Sequence, residues 1–346
     1  MLGMLMQYGL FLAKVVTVVV AFVVIILTIF AAASARRRPP EDDGAIDVTC
    51  LNERYEDYEE GLRAAVLDEN ALKAHHKALK KKAKAEKKAA DKPERKRLFV
   101  LQFNGDISAS ATDNLRREIT AILTLADPAR DEVALVLESP GGMVHGYGLA
   151  SSQLARIRAK KIPLTICVDK VAASGGYMMA CLGTRILAAP FAVVGSIGVV
   201  AQLPNFNRLL EKHDIDFEVL TAGEYKRTLT IFGKNTDAGR QKFLEELEDT
   251  HVLFKDFVQE NRPSLDIARV ATGEHWYGKR ALELGLVDQL ITSDQYLFES
   301  ARQADVYTVR YIHKRKLAER LGFAAEAATD RLLLKWWERA QQQFFL

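Results

Sequence analysis

From Leu98 onward, short runs of β-branched and aliphatic residues alternate with stretches of helical period, and this alternation restricts the fold more than any other feature of the chain. A strand followed by a helix and a second strand returns parallel to the first, so a repeated βαβ pattern builds a mostly parallel sheet with helices on its faces. The runs predict strands over 98–103, 133–138, 164–168, 185–189 and 217–221. The helical period predicts helices over 112–125, 147–159, 204–213 and 237–261, with a short helix opening at Ser174. The expected class is α/β, and 346 residues that are 49% hydrophobic can bury a sizeable core.

The flanking segments have a different texture. Between residues 15 and 33 every residue is apolar except Thr17 and Thr28, and at about 1.5 Å per residue the run matches a hydrocarbon core of about 30 Å. It reads as one transmembrane anchor. A cleaved signal peptide is the alternative, since Ala33-Ser34-Ala35 resembles a small-residue cleavage site, but the apolar run exceeds the usual length of about 7–15 residues. Arg36, Arg37 and Arg38 follow the run whereas Lys14 precedes it, which by the positive-inside rule favours a cytoplasmic downstream domain.

Residues 39–97 are acidic at first and then basic, with Lys80, Lys81, Lys82, Lys84, Lys87 and Lys88 close together. They read as a solvated helical linker, or as a segment that touches anionic lipid head groups. The expected division is an anchor with its basic flank (1–38), a charged linker (39–97), a globular catalytic domain (98–305) and a C-terminal extension (306–346). Within that extension Trp336, Trp337, Phe344 and Phe345 mix with Lys335 and Arg339, so 330–346 either packs on its own domain or lies at a membrane interface.

Charge and cysteine content exclude some classes. The 48 basic and 45 acidic residues leave a net charge of +3, which implies no general affinity for nucleic acid. Cys50, Cys167 and Cys181 lack the paired spacing of a zinc site or a disulfide framework and are expected to be structural thiols. Neither a metal nor a cofactor is expected.

Three glycine-rich turns fall just after predicted strands, where open α/β sheets place their ligand sites. In Ser139-Pro140-Gly141-Gly142, adjacent glycines let the backbone approach a ligand and present its N–H groups, as an oxyanion hole requires. In Ala173-Ser174-Gly175-Gly176, a serine at the mouth of a helix benefits from the positive end of the helix dipole, although a plain N-cap would look the same. In Gly223-Glu224-Tyr225-Lys226, a lysine can accept a proton only if desolvation or nearby cations lower its pKa; a surface lysine is the bland alternative. Between the last two lies Gly195-Ser196-Ile197-Gly198, whose hydroxyl is placed to orient a lysine amine.

Taken in this order, the four segments resemble the signal peptide peptidase A family of serine proteases, also called the protease IV family, and most closely its single-domain SohB branch. The resemblance covers roughly residues 98 to 300 and implies a ClpP/crotonase-type α/β fold of repeated βαβ units. It also implies a Ser-Lys dyad in which Ser174 is the nucleophile, Lys226 the general base and Ser196 the residue that steadies the lysine. The backbone N–H groups of Gly142 and Gly175 fall on the oxyanion hole, and Gly141, Met143, His145 and Tyr177 are the candidates for lining the substrate groove. The implied substrates are peptides, in particular signal-peptide remnants or other membrane-derived fragments. In single-domain relatives serine and lysine meet across neighbouring subunits, so a homo-oligomer in the cell inner membrane is expected. Better-known relatives act on the exported side, against the charge pattern.

Other readings stay open at the level of sequence. A histidine-based hydrolase would use His145, a crotonase-like enzyme would hold an acyl-CoA thioester on the same glycine turns, and a membrane scaffold would keep the fold without the chemistry.

Overall fold

The computed structural model describes residues 14–17, 44–88 and 95–313. The chain parts into two units, Met1–Ala45 with Ile312–Leu346, and Ile46–Tyr311, and the second carries the fold and the candidate site. In chain order its elements are β1 (Gly44–Cys50), α1 (Leu51–Val66), α2 (Glu69–Lys88), β2 (Lys96–Asn104), α3 (Thr112–Leu125), β3 (Asp131–Glu138), α4 (Val144–Ala159), β4 (Leu164–Val168) and β5 (Val171–Ala173). They continue with α5 (Gly175–Ala180), β6 (Arg185–Ala188), β7 (Val193–Gly195), α6 (Asn207–Lys212), α7 (Asp237–Asn261), α8 (Ile267–Val270), β8 (His275–Tyr277), α9 (Gly278–Glu283), β9 (Gln289–Leu290), α10 (Ser293–Ser300) and β10 (Ala304–His313).

The main sheet has seven strands in the order β1-β10-β2-β3-β4-β6-β9, and every pairing from β10 through β2, β3, β4 and β6 to β9 is parallel. All five residues of β4 are buried, which is the signature of a strand covered on both faces. One face packs Phe103, Leu135, Leu137, Leu154 and Ile166 into the larger core, and the other packs Leu98, Val100, Leu187 and Leu297 with Leu51 of α1. Each such fully buried aliphatic side chain stabilises the fold by about 1.5–3 kcal/mol. Arg262, just past α7, donates to both carboxylate oxygens of Asp288 at 2.7 and 2.9 Å, and Asp288 accepts the Ile186 N–H at 2.7 Å, so the long helix is tied to the edge of the sheet.

A second sheet, in the order β5-β7-β8, carries the turns of interest. Its strands are three residues each, too short to show a periodicity, which is why the sequence did not predict them. A parallel bridge between Ser139 and Ala172 joins the end of β3 to β5.

The predicted strands at 98–103, 133–138, 164–168 and 185–189 are present, as are helices at 112–125 and 237–261. The strand expected at 217–221 is not. Phe217, Val219 and Leu220 lie in an irregular, exposed arm; their apolar pattern reads as β, but no neighbouring strand pairs with them. The stretch 39–97 is helical over α1 and α2 and also supplies the edge strand β1, whose short run within a charged region gave no clear signal. Cys167 and Cys181 are buried, and burial pushes both thiols up to about 12, as inert structural groups require. Among the described residues no helix is long and apolar enough to cross a membrane. Of the run 15–33 only residues 15–17, which are helical, are described; the rest of that run and all of 330–346 lie outside the described residues.

Candidate active site

Strands β5 and β7 run parallel with Ala173 opposite Gly195, so the chain leaves both strands side by side and places Ser174 and Ser196 next to one another. The Ser174 N–H donates to the Gly195 carbonyl at 2.8 Å, and the Ser196 N–H donates to the Glu274 carbonyl at 2.7 Å. Both serines have positive φ, 51° and 52°, a region that costs a residue with a Cβ of order 1–3 kcal/mol and persists only where the surroundings impose it. Here the paired strands impose it. The Ser174 side chain makes no cap hydrogen bond to α5, so its hydroxyl is not spent as an N-cap. That helix has only six residues, so the dipole invoked from sequence contributes less than the individual N–H groups beside the serine.

The double-glycine turn closes on this serine. Gly141 has φ +93°, and a Cβ there would lie 2.7 Å from the Ser174 Cβ and 2.9 Å from the Gly175 nitrogen. Glycine is therefore demanded twice at position 141, by conformation and by space. A Cβ at Gly142 would overlap the Ile107 carbonyl, which also accepts the Met143 N–H at 2.8 Å. Among the described residues the Gly142 and Gly175 N–H groups have no acceptor. Two free donors thus flank a strained, uncapped serine, an arrangement suited to attack on a carbonyl and to holding the negative oxygen that results.

Other expected residues fall variously. Met143 is half exposed beside the turn, with Ile107 at 70% and Val144 at 47% exposure, so the rim of the site is apolar. His145 is exposed on the first turn of α4. Tyr177 is a correction: it is fully buried, its hydroxyl donates to the Leu286 carbonyl at 2.9 Å, and burial raises its pKa, so it is a core residue and lines no groove. Lys226 lies on the exposed arm, where its own N–H donates to the Gly223 carbonyl at 3.2 Å. Among the described residues its ammonium has no hydrogen bond or ion pair. Among the described residues nothing covers the Lys226 side chain, which is exposed.

Sequence reasoning missed the residues that hold these turns from behind. His251 of α7 places Nε2 3.2 Å from the Ile197 carbonyl, and the Gly273 N–H donates to that same oxygen at 3.2 Å. The Trp276 ring packs on Gly195. Buried Ser139 and Tyr147 underlie the double-glycine turn. His251 and Tyr147 lie in long helices whose core-facing period hides a local role, Trp276 in a strand too short to read, and only Ser139, being inside a motif, carried any signal.

Comparison with known proteins bears on this geometry. Two family models match the chain, "Peptidase family S49 N-terminal" over residues 3–154 and "Peptidase family S49" over 156–307. A probable protease SohB of Haemophilus influenzae is 49% identical over 311 residues, spanning 87% of this chain and 88% of its own length. A probable protease SohB of Buchnera aphidicola subsp. Schlechtendalia chinensis is 60% identical over 200 residues, 58% of this chain and 65% of that protein. Among solved structures, the 1510-N membrane-bound stomatin-specific protease aligns with 62% of this chain and 98% of its own at a TM-score of 0.40 and 15% identity. The chain therefore belongs to peptidase family S49, among proteases of the SohB kind.

Proposed function

We propose that this protein is a membrane-anchored serine endopeptidase in which Ser174 is the nucleophile and Lys226 the general base. The observation that carries the reading is the uncapped Ser174 at positive φ between the unpartnered N–H groups of Gly142 and Gly175. Neutral Lys226 takes the Ser174 proton as the hydroxyl attacks a peptide carbonyl, and the ammonium so formed gives it to the leaving amine. The two glycine N–H groups hold the tetrahedral oxygen; water then attacks the acyl-enzyme and gives a proton to Lys226, which passes it to the departing Ser174 oxygen as the acid product leaves. Ser196, one residue past the Gly195 carbonyl that anchors Ser174, steadies the amine. The fold belongs with the ClpP/crotonase type.

The exposed lysine sets a condition. On the arm that carries it, Val200 is 80% and Leu220 90% exposed, with Phe206, Phe217 and Phe232 also open to solvent. So much apolar surface on one arm is what a second copy of the chain would cover, and covering it would also desolvate Lys226. The active protein is therefore a homo-oligomer with sites shared between copies. The apolar rim of Ile107, Met143 and Val144 suits peptides with apolar side chains, as in signal-peptide remnants or other membrane-derived fragments. The run 15–33 supplies the anchor in the cell inner membrane; the basic residues after it favour a cytoplasmic domain, and the family resemblance favours the exported side. A reporter fused after Leu346 distinguishes the two.

A lysine exposed in the single chain is also what a catalytically silent scaffold would have. Labelling of the full-length protein with a fluorophosphonate separates the readings: the peptidase reacts at Ser174 and loses both label and peptidase activity in Ser174→Ala, whereas a scaffold reacts in neither form.

A further inference from the structure

We propose that Ser139 and Tyr147 are positioning residues that hold the two oxyanion donors in register. The proposal rests on the reading of Gly142 and Gly175 as those donors. Ser139 is fully buried one residue before Pro140-Gly141-Gly142, and its backbone is fixed on both sides, with its N–H donating to the Val171 carbonyl at 2.8 Å and its carbonyl accepting the Ala173 N–H at 3.0 Å. Its Oγ accepts the Gly141 N–H at 3.1 Å and lies 2.6 Å from the Tyr147 hydroxyl.

The direction of this chain follows from counting protons. Tyr147 has one hydroxyl hydrogen, and it is donated to the Asp106 carbonyl at 2.8 Å, since a carbonyl can only accept. The hydrogen in the 2.6 Å contact must then come from Ser139, which leaves the Ser139 oxygen to accept from Gly141. The bonds run in one sense, from the Gly141 N–H through the Ser139 and Tyr147 hydroxyls to the Asp106 carbonyl, and such chains strengthen one another in a dry interior. Asp106 is itself held, because its carboxylate accepts from the Ser108 hydroxyl and from both the N–H and hydroxyl of Ser110.

The same tyrosine also touches the other donor. A Cβ at Gly175 would overlap the Tyr147 ring, so that ring sets how deep the Gly175 N–H sits, while the Tyr147 hydroxyl end sets the Gly141 turn. Fully buried side chains are common, and pairing their hydroxyls is ordinary. What lifts this pair above core satisfaction is that it contacts both donor turns and ends on the glycine packed against Ser174 and Gly175.

The test uses the full-length protein with Ser139→Ala and with Tyr147→Phe, which keeps the ring under Gly175. Removing an oxyanion donor outright costs about 10²–10³ in kcat, so loosening both is expected to cost Ser139→Ala about tenfold or more in kcat. Tyr147→Phe, which removes one hydrogen bond, is expected to lose about threefold. KM stays within about twofold in both, because the donors act on the transition state. Affinity for a peptide boronate, which forms a tetrahedral adduct on the serine, falls in proportion to kcat in each variant. Unchanged kcat and boronate affinity in a folded Tyr147→Phe, with the wild type still labelled by fluorophosphonate, would overturn the positioning role alone. A wild type that takes no label would overturn the peptidase reading and this one with it. If Ser139→Ala does not fold, the ratio of kcat to boronate affinity in Tyr147→Phe decides the matter.

Discussion

Ser174 and Lys226 sit in segments of opposite physical character. Around Ser174 the backbone is pinned by paired strands, two glycines fit where no side chain could, and the residues beneath are fully buried. Around Lys226 the chain is irregular and exposed, and among the described residues apolar side chains such as Leu220 and Phe217 stay exposed and outside both buried clusters. Among the described residues the first segment is complete and the second is open. A nucleophile and its oxyanion donors depend on geometry, which a single fold can supply, whereas a neutral lysine depends on dryness, which this arm lacks by itself. On the proposed reading, assembly rather than folding is the step that switches the chemistry on.

The largest effects break the comparison outright. Ser174→Ala and Lys226→Ala are each expected to lower kcat about a thousandfold or more in a peptide-hydrolysis assay, since members of one catalytic unit fail together. Both melting temperatures are expected to stay close to that of the wild type, because alanine keeps the Cβ that Ser174 already carries at φ 51° and Lys226 is exposed. A variant that melted far lower would mean the loss came from unfolding.

Gly141→Ala attacks the finished segment. Its Cβ would press on Ser174 and on the Gly175 nitrogen, and a loss of about a hundredfold in kcat is expected with little change in KM. Activity near wild type would show that the two turns tolerate separation and that the site is looser than described.

Leu220→Asp attacks the unfinished one. Placing a charge on this 90% exposed residue leaves the chain's own fold intact but weakens burial between copies, and the protein concentration at half-maximal activity is expected to rise about tenfold. Analytical ultracentrifugation beside the activity assay checks it; an unchanged concentration dependence would remove the arm from the interface.

The smallest effect concerns pH. Hydrogen bonds from Ser110 and then Ser108 hold the Asp106 carboxyl down to about 2, against 3.8 in the unfolded chain. Since the folded value is the lower one, the contribution of this turn is present above about 4 and is lost as pH falls toward about 2. The Ser110 amide resonance is expected to titrate with that low midpoint; a midpoint near 3.8 would mean the loop is not held.

Legibility in the sequence followed the same divide. Strands such as β3 and β4 announce themselves because they are long and buried on both faces, and the glycine turns because few other residues fit there. The strands β5, β7 and β8 could not be read, being three residues long and defined by partners rather than by pattern. The arm misled for a related reason: Phe217, Val219 and Leu220 carry the composition of a buried strand, yet among the described residues all three stay exposed and no strand pairs with them. Tyr177 and Tyr147 lie in short or periodic helices where the residue type says nothing about whether the ring faces a groove or a core, and both face the core.

The most direct test mixes the two inactive chains. Ser174→Ala and Lys226→Ala, co-refolded or co-expressed so that mixed oligomers form, are expected to recover peptidase activity, because a mixed assembly pairs an intact serine from one copy with an intact lysine from another. Mixed oligomers that form, carry both chains and remain inactive would contradict a site shared between copies.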